Sequence, residues 1–282
     1  TLHEIYTDAT VTSVEVGLRA EQRLADARKE TGNVGEPVLM SEVCSRQYSE
    51  LAAREGNPTP LGVLSGFREI DTLVGAMMPG WVVVLAARPS VGKSALGMSI
   101  ALRAAHAHQG VAFFSLEMTP DSLAQRYMGG KARVSPHRWR SGDIQGTEYV
   151  ALLEAARSMD DVPLWLDFSP GINLPALKTK ARTLVDQRGV RLLIVDYLQL
   201  IRHPDPRGRS KYETVTETSR DLKILAGELG VPIILLSQLN RGSENREGNR
   251  PRMSDLRDTG AIEEDADVVM LLHREEYYHK GD

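Results

Sequence analysis

The chain has 282 residues, a net charge of -4 and an apolar content of 41%, which suit a globular protein with a sizeable core. The negative charge argues against a protein whose whole surface coats nucleic acid, although it allows a narrow local contact. No apolar stretch is long enough to span a bilayer and no secretory signal opens the chain, so we expect a cytoplasmic protein without membrane contact. A single cysteine excludes an internal disulfide and a multi-cysteine zinc site.

Two amphipathic helices are predicted before residue 60. Residues 13–29 are charged and carry one loosely helical set of apolar positions, so such a helix needs a partner surface within the chain or on a neighbour. A second helix is expected after Ser41, a plausible N-cap, and the run 56–60, rich in glycine and proline, closes it. We therefore place a helical extension at residues 1–60 and a larger domain at residues 61–282.

The larger domain alternates strands with helices. Strands are predicted at 82–87, 111–116, 164–168, 192–195, 232–236 and 267–272, with helices at about 93–107, 146–158 and 211–229 and two more beginning at Pro120 and Pro175. Repeated strand-helix units predict an α/β fold with a mainly parallel, twisted sheet and helices on both faces. Ligands of such sheets bind beyond the carboxyl ends of the strands.

A phosphate-binding loop is predicted where the first strand ends. The buried run Val82–Ala87 is followed by Arg-Pro-Ser-Val-Gly-Lys-Ser, and an Ala- and Leu-rich helix begins at Lys93. This order presents backbone N–H groups and a helix N-terminus to phosphate oxygens. Gly92 allows close approach, Lys93 reaches the β- and γ-phosphates, and the Ser94 hydroxyl can bind Mg²⁺. The general pattern G-x-x-x-x-G-K-[ST] has Gly where this chain has Ala87.

Three other predicted strands end in polar residues of catalytic type. Asp196 follows four apolar residues and could hold Mg²⁺ through a water, although many buried strands end in an aspartate that caps a helix. Glu117 could orient and deprotonate a water, and a surface acid is an equal alternative on the residues alone. Gln238 could exchange hydrogen bonds with a γ-phosphate or with the attacking water.

An arginine-rich segment follows Gln238. Residues 241–257 contain five arginines and three acids, a balance of +2 in an acidic chain. For most of these arginines we favour a solvated loop, because two glycines and a proline accompany them.

Taken together, these residues closely resemble the C-terminal ATPase domain of bacterial replicative DNA helicases of the DnaB type, with part of the preceding linker. The likeness covers about residues 61–275 and is far more specific than any single motif. It is carried by Ser65-Gly66-Phe67 with Asp71 and Pro79-Gly80, by residues 86–94, by Phe114–Met118, by Val195–Leu200, by Leu236–Arg241 and by Ser254–Asp267. The family also has Ala at the position of Ala87.

The resemblance implies a RecA-like P-loop NTPase core that uses ATP and Mg²⁺. It makes Glu117 the general base, with Lys93 and the γ-phosphate sensor Gln238 as the other catalytic residues, and it assigns the metal to Ser94 and Asp196. It places single-stranded DNA against a turn that contains Arg257, Asp258 and Gly260, where the family usually has Glu-Ser in place of Asp-Thr. The nucleotide-binding residues that it implies are Arg88, Pro89, Ser90, Val91, Gly92, Lys93, Ser94 and Ala95.

The resemblance also implies partners. These are single-stranded DNA, further copies of the chain in a homohexameric ring, a primase and a helicase loader, with residues 13–29 as the helix that docks on the adjacent subunit. In this family an arginine finger lies in a Lys-Gln-Arg segment beyond the last strand matched here. Without that segment we expect these residues to bind nucleotide and to hydrolyse it poorly.

The function that we predict is an ATP-driven helicase motor that moves along single-stranded DNA and separates the duplex. The alternatives are a RecA-like recombination or repair ATPase that forms a filament, and a nucleotide-gated scaffold that does not unwind DNA.

Overall fold

A computed structural model describes residues 37–56, 60–202, 211–240, 242 and 247–277. The chain divides into two units, Thr1–Thr59 and Pro60–Asp282. In the first unit, helix α1 (Met40–Ala52) begins after Leu39, which makes no side-chain capping bond. The sequence-based choice of Ser41 as the N-cap is therefore wrong, because Ser41 already lies inside the helix. The predicted helix at 13–29 lies outside the described residues.

The second unit is built on one sheet whose described strands are all parallel. Six strands occur in the spatial order β3-β2-β4-β5-β1-β6. Their bounds are β1 (Val82–Ala87), β2 (Gly110–Ser115), β3 (Leu164–Phe168), β4 (Val190–Asp196), β5 (Ile233–Gln238) and β6 (Val268–Leu271). The predicted α/β class with a parallel sheet is confirmed, and the predicted strands lie within two residues of those observed.

Helices connect the strands and cover both faces of the sheet. The described helices of this unit are α2 (Arg68–Val74), α3 (Lys93–His106), α4 (Pro120–Ala132), α5 (Pro136–Ser141), α6 (Gly146–Arg157), α7 (Leu174–Arg188), α8 (Lys211–Leu229) and α9 (Gly260–Asp265). The sequence did not predict α2, α5 and α9, since helices of six or seven residues are too short to show a hydrophobic period. No described helix has the length and apolar character that crossing a membrane requires.

The inner strands are buried because each face of the sheet packs against its own set of helices. Val82 and Val84 belong to one core with residues of α7 and α8, whereas Val83 and Leu85 belong to the other with residues of α3. All six residues of β1 are buried. A strand buried on both faces reads as a continuous apolar run, which is why the sequence located it so closely.

Pairing brings the carboxyl ends of the inner strands to the same edge. Ala87 at the end of β1 lies opposite Gln238 of β5, and Ser115 at the end of β2 lies opposite Asp196 of β4. Any residue that directly follows these strands therefore lies at that edge. This is the edge at which the sequence analysis placed a ligand.

We expect Gly110→Ala to destabilise the protein. A Cβ at Gly110 would meet the Gly189 carbonyl oxygen at 2.6 Å and the Val190 Cα at 3.0 Å, so β2 would have to shift away from β4. Overpacking of this kind costs about 1–3 kcal/mol. Urea denaturation followed by circular dichroism measures the loss of the free energy of unfolding.

The matched control is Gly146→Ala, where nothing lies within 4 Å of the added Cβ at the start of α6. The control should leave the protein equally stable or up to about 1 kcal/mol more stable. Equal stability of the two variants would contradict the close approach of β2 to β4.

Candidate functional site

The loop after β1 has the backbone geometry of an anion-binding turn. Gly92 adopts a φ of 120°, which an L side chain rarely adopts, and Ser90 adopts 64°. Helix α3 then begins at Lys93, with the N–H of Leu96 bonded to the Gly92 carbonyl as its first turn. The N–H groups of the first helical residues have no intrahelical partner and point out of the helix end. The loop therefore offers donors and the positive end of a helix dipole to an anion.

Ala87 can replace the first Gly of the general phosphate-loop pattern because it belongs to the strand and not to the turn. It is the last residue of β1 and is 1% exposed. Its extended backbone does not need glycine, unlike that of Gly92.

A cavity of about 450 Å³ lies against this loop. It is lined by Ala87, Arg88, Pro89, Ser90, Gly92, Lys93, Ser94 and Ala95 of the loop and helix start, and by Glu117, Met118, Arg126, Tyr197 and Gln238. Seven of the eight predicted nucleotide-binding residues are therefore among its walls. The eighth, Val91, is not in the lining, and its side chain is buried.

Lys93 and Asp196 form an ion pair between the loop and the end of β4. The Lys93 Nζ lies 3.5 Å from the Asp196 Oδ1, and the two side chains are 12% and 1% exposed. The same Oδ1 is buried and accepts no hydrogen bond. This buried carboxylate oxygen is compensated by one ammonium at 3.5 Å without a hydrogen bond, so a ligand that supplies a further donor or cation would stabilise it.

Lys93 also contacts the aromatic ring of Tyr197, whose centroid lies 4.1 Å from Nζ. Burial lowers the pKa of Lys93 from its ordinary value, while the charges of Asp196 and Glu117 oppose that decrease. Burial raises the pKa of Tyr197, and the charges of Glu117 and Asp196 raise it further. Lys93 is thus influenced by two carboxylates, that of Glu117 at the cavity wall and that of Asp196 buried behind it.

Glu117 is presented to the cavity by a turn that follows β2. The Ser115 hydroxyl donates to the Met118 carbonyl at 2.6 Å and accepts from the Met118 N–H at 3.1 Å. The Leu116 N–H donates to the Asp196 carbonyl at 2.7 Å, which ties the turn to the end of β4. Glu117 itself is exposed, so water can reach its carboxylate.

Gln238 lies next to the phosphate loop because β5 pairs with β1. Beyond the last paired residues, the Leu239 N–H donates to the Ala87 carbonyl at 3.0 Å. The Arg88 guanidinium donates to the Leu239 carbonyl at 2.7 Å. The loop and the end of β5 are therefore joined in both directions.

The structure also brings in residues to which the sequence analysis gave no role. Arg126 of α4 lines the cavity, and its only signal in the sequence was a basic residue in the middle of the helix that follows Glu117. Tyr197 and Gln199 stood within the motif Val195–Leu200, but their partners are distant in the chain: Lys93 of α3 for Tyr197 and Ser237 of β5 for Gln199. Such contacts have no local signature in the sequence.

The predicted DNA-contacting residues lie in the segment that follows β5. Arg257 and Asp258 belong to a 3₁₀ helix, Met253–Thr259, and Gly260 begins α9, so their backbone is helical and not the turn that the sequence suggested. Their side chains lie outside the described part of the structure. The segment is attached to the end of β5, since the Asn240 N–H donates to the Asp255 carbonyl at 3.2 Å.

The residues present fit a magnesium ion held mainly by a nucleotide. Within the described residues, no group of three or more His, Cys, Asp or Glu side chains could hold a metal by itself. The cavity instead offers the Ser94 hydroxyl, and the orphaned Asp196 oxygen lies beside Lys93 at the cavity wall. Mg²⁺ keeps several waters and binds through one or two protein oxygens together with substrate phosphates, which suits this set of donors.

Comparison with known proteins identifies relatives along most of the chain. The family model described as DnaB-like helicase C terminal domain matches residues 62–282. The replicative DNA helicase DnaB of Leifsonia xyli is 40% identical over 254 residues, which are 89% of this chain and 55% of that protein. The chain spans about half the length of the curated relatives that it matches.

Two solved structures share the fold. One, described as an ATPase domain, superposes with a TM-score of 0.80 and 30% identity, covering 88% of this chain and 87% of that one. A DnaB-like replicative helicase, described with its interactions with primase, superposes with a TM-score of 0.75 and 30% identity, covering 93% and 63%. Because the family model matches well over half of the residues and these structures share the sheet and its helices, the chain belongs to the family of DnaB-like helicase C-terminal domains.

Proposed function

We propose that this chain is the motor part of a replicative DNA helicase, which couples ATP hydrolysis to movement along single-stranded DNA and to separation of the duplex. The observation that carries the proposal is the convergence of Lys93, Ser94, Glu117 and Gln238 on one cavity, with the orphaned oxygen of Asp196 beside Lys93. The family membership supports it. Neither the filament-forming ATPase nor the scaffold gains support from an observation.

In the proposed reaction the phosphate loop binds the nucleotide and Lys93 neutralises the β- and γ-phosphates. Lys93 would move from Asp196 and the Tyr197 ring to the phosphates, which would lie in the cavity that Lys93 lines. Glu117 would accept a proton from the attacking water, since it is exposed at the cavity wall and its turn is fixed by Ser115. Arg126 would add a second positive charge next to the phosphates.

Mg²⁺, when bound, would neutralise charge on the β- and γ-phosphates. We propose that Ser94 binds it directly and that Asp196 binds it through a water. The burial of Asp196 at 1% exposure keeps its carboxylate in one position for that purpose.

We propose that the DNA strand contacts the helical segment that contains Arg257, Asp258 and Gly260. The support is the bond from Asn240 to Asp255, which ties this segment to the strand that ends in Gln238. A change at the γ-phosphate would then reach the DNA contact through a short stretch of backbone. A few phosphate contacts per subunit, repeated around a ring, would reconcile DNA binding with a net charge of -4.

We propose a ring of six copies, with primase and a helicase loader as further partners. Helix α6 supports a contact between copies, because Tyr149, Val150 and Leu153 are each more than half exposed on it. An exposed apolar surface of this kind marks an interaction site. The proposed occupant is the predicted amphipathic helix at 13–29 of the adjacent copy. The primase partner rests on the relative that was solved for its interactions with primase.

Lys93→Ala should weaken nucleotide binding. The variant loses a charge-assisted hydrogen bond worth about 1.5–3 kcal/mol, which is roughly a tenfold to hundredfold rise in the Kd of MgATP. Fluorescence titration with a labelled ATP analogue measures it. Lys131→Ala is the control, because Lys131 is an exposed lysine of α4 that lies against Tyr127 and does not line the cavity. Undiminished binding by Lys93→Ala would remove the basis of the proposal.

Glu117→Gln should separate binding from hydrolysis. The amide keeps the size of the side chain but cannot accept the proton, so hydrolysis should fall about 10²–10⁴-fold while nucleotide affinity stays near that of the wild type. Phosphate release and strand separation are measured in the full-length protein with a forked substrate. Asp121→Asn, an exposed acid in the first turn of α4, should retain both activities. A Glu117→Gln protein that still unwinds DNA would favour a different base.

Arg257→Ala should weaken the binding of single-stranded DNA by the same factor for every base sequence. Loss of one phosphate contact per subunit should also reduce the slope of log K against log salt by about 0.7 for each contact. Fluorescence anisotropy of labelled oligonucleotides at several salt concentrations gives both values. Arg191→Ala is the control, since this exposed arginine lies near the start of β4, at the opposite edge of the sheet. Equal affinities of the two variants would place the DNA elsewhere.

A further inference from the structure

Strand β5 ends with two residues that lack a strand partner on one side. Its pairing with β4 stops at Leu236, whereas its pairing with β1 continues to Gln238. In a parallel sheet, successive N–H groups of a strand point to opposite neighbours. The N–H groups of Ile233 and Leu239 donate to carbonyl oxygens on the β1 side. The N–H of Gln238 therefore points to the side of β4, beyond the point where the pairing has stopped.

The Gln199 side chain takes the place of the missing strand. Its Oε1 accepts the Gln238 N–H at 3.4 Å, and its Nε2 donates to the Ser237 Oγ at 2.8 Å. A backbone N–H can only donate, so the carbonyl end of the amide must face Gln238. One side chain thus bonds both terminal residues of β5.

Gln199 is itself fixed by the end of β4. It lies in the 3₁₀ turn Leu198–Leu200, which begins two residues after Asp196. Leu198 is 1% exposed and packs in the core, and the Leu200 N–H bonds to the Tyr197 carbonyl. The amide therefore links the strand that ends in Asp196 to the strand that ends in Gln238.

We propose that Gln199 is a positioning residue that holds the end of β5 so that Gln238 faces the γ-phosphate position. Gln199 does not line the cavity, whereas Gln238 does, so Gln199 acts through Gln238 and not on the nucleotide. This inference rests on the proposed function. A residue that only stabilised the fold would affect all nucleotides alike, and a residue that positions Gln238 affects only those with a γ-phosphate.

The test is Gln199→Met in the full-length protein. Methionine has a similar size but makes neither hydrogen bond. Equilibrium titrations give the Kd of MgADP and that of a non-hydrolysable ATP analogue with Mg²⁺. We expect the preference for the analogue over ADP to fall about fivefold to thirtyfold, since one lost bond is worth about 1 kcal/mol and two bonds are lost, while the Kd of ADP changes less than about twofold. Gln187→Met, the same change at an exposed glutamine of α7, should leave both constants unchanged.

A double-mutant cycle with Gln238→Ala separates positioning from an independent effect. If Gln199 acts through Gln238, adding Gln199→Met to Gln238→Ala causes no further loss of the preference. Ser237→Ala, which removes only the partner of Nε2 at a buried site, should shift the preference in the same direction by a smaller factor and serves if Gln199→Met does not fold.

The outcomes separate the two proposals. A wild-type protein that binds neither nucleotide would refute the proposed function and this inference with it. If the wild-type protein prefers the analogue and the Gln199→Met protein shows the same preference, the inference alone is refuted. The same holds if Gln199→Met loses affinity equally for the analogue and for ADP. An additive loss in the double variant would also refute it.

Discussion

Hydrogen bonding between β1 and β5 fixes the phosphate loop against the end of a second strand, and the rest of the candidate site depends on this pairing. The ladder runs as far as Ala87 and Gln238, and the bond from Leu239 to the Ala87 carbonyl extends it. In the opposite direction, the Arg88 guanidinium of the loop donates a hydrogen bond to the Leu239 carbonyl. A loop held on both sides in this way keeps its N–H groups aimed at the anion before any anion arrives, which lowers the cost of ordering it on binding.

A second ladder, between β2 and β4, sets the positions of the two carboxylates. Ser115 lies opposite Asp196, and the turn that carries Glu117 is bonded to the Asp196 carbonyl. One buried ammonium, that of Lys93, is influenced by both carboxylates. Its contacts with Asp196 and the Tyr197 ring compensate this charge. In the proposed binding step Lys93 would exchange these partners for phosphate oxygens, and the proposed Mg²⁺ would then compensate Asp196.

The ends of β4 and β5 connect the nucleotide cavity to the segment proposed to contact DNA. Gln199 joins the two strand ends, and Asn240 joins β5 to the 3₁₀ helix that contains Arg257. These bonds lie within a few residues of one another, so a movement at the γ-phosphate position need not pass through the core. The sheet remains a rigid support, because its inner strands are buried on both faces.

Local patterns in the sequence determined the strands, the phosphate loop and the family. Buried parallel strands are continuous apolar runs, so β1 was located at its observed bounds. The bounds of β3, which is partly exposed, were also predicted. The polar residues that end or follow the predicted strands marked Glu117, Asp196 and Gln238 as one edge of a sheet. Helices of six or seven residues were missed, because one or two turns carry too little periodicity to be recognised. Ser41 was misplaced as a cap because the 13-residue helix α1 begins at Met40, after Leu39, which makes no side-chain capping bond.

Only the tertiary structure decided which groups meet. The strand order β3-β2-β4-β5-β1-β6 brings Arg88 to Leu239 across 151 residues of chain, and no local pattern encodes that order. The same holds for Arg126 at the cavity wall, for the ring of Tyr197 against Lys93 and for the amide of Gln199 beside β5. The sequence specifies which face of each element is buried, but the neighbours on that face follow from how the whole sheet is assembled.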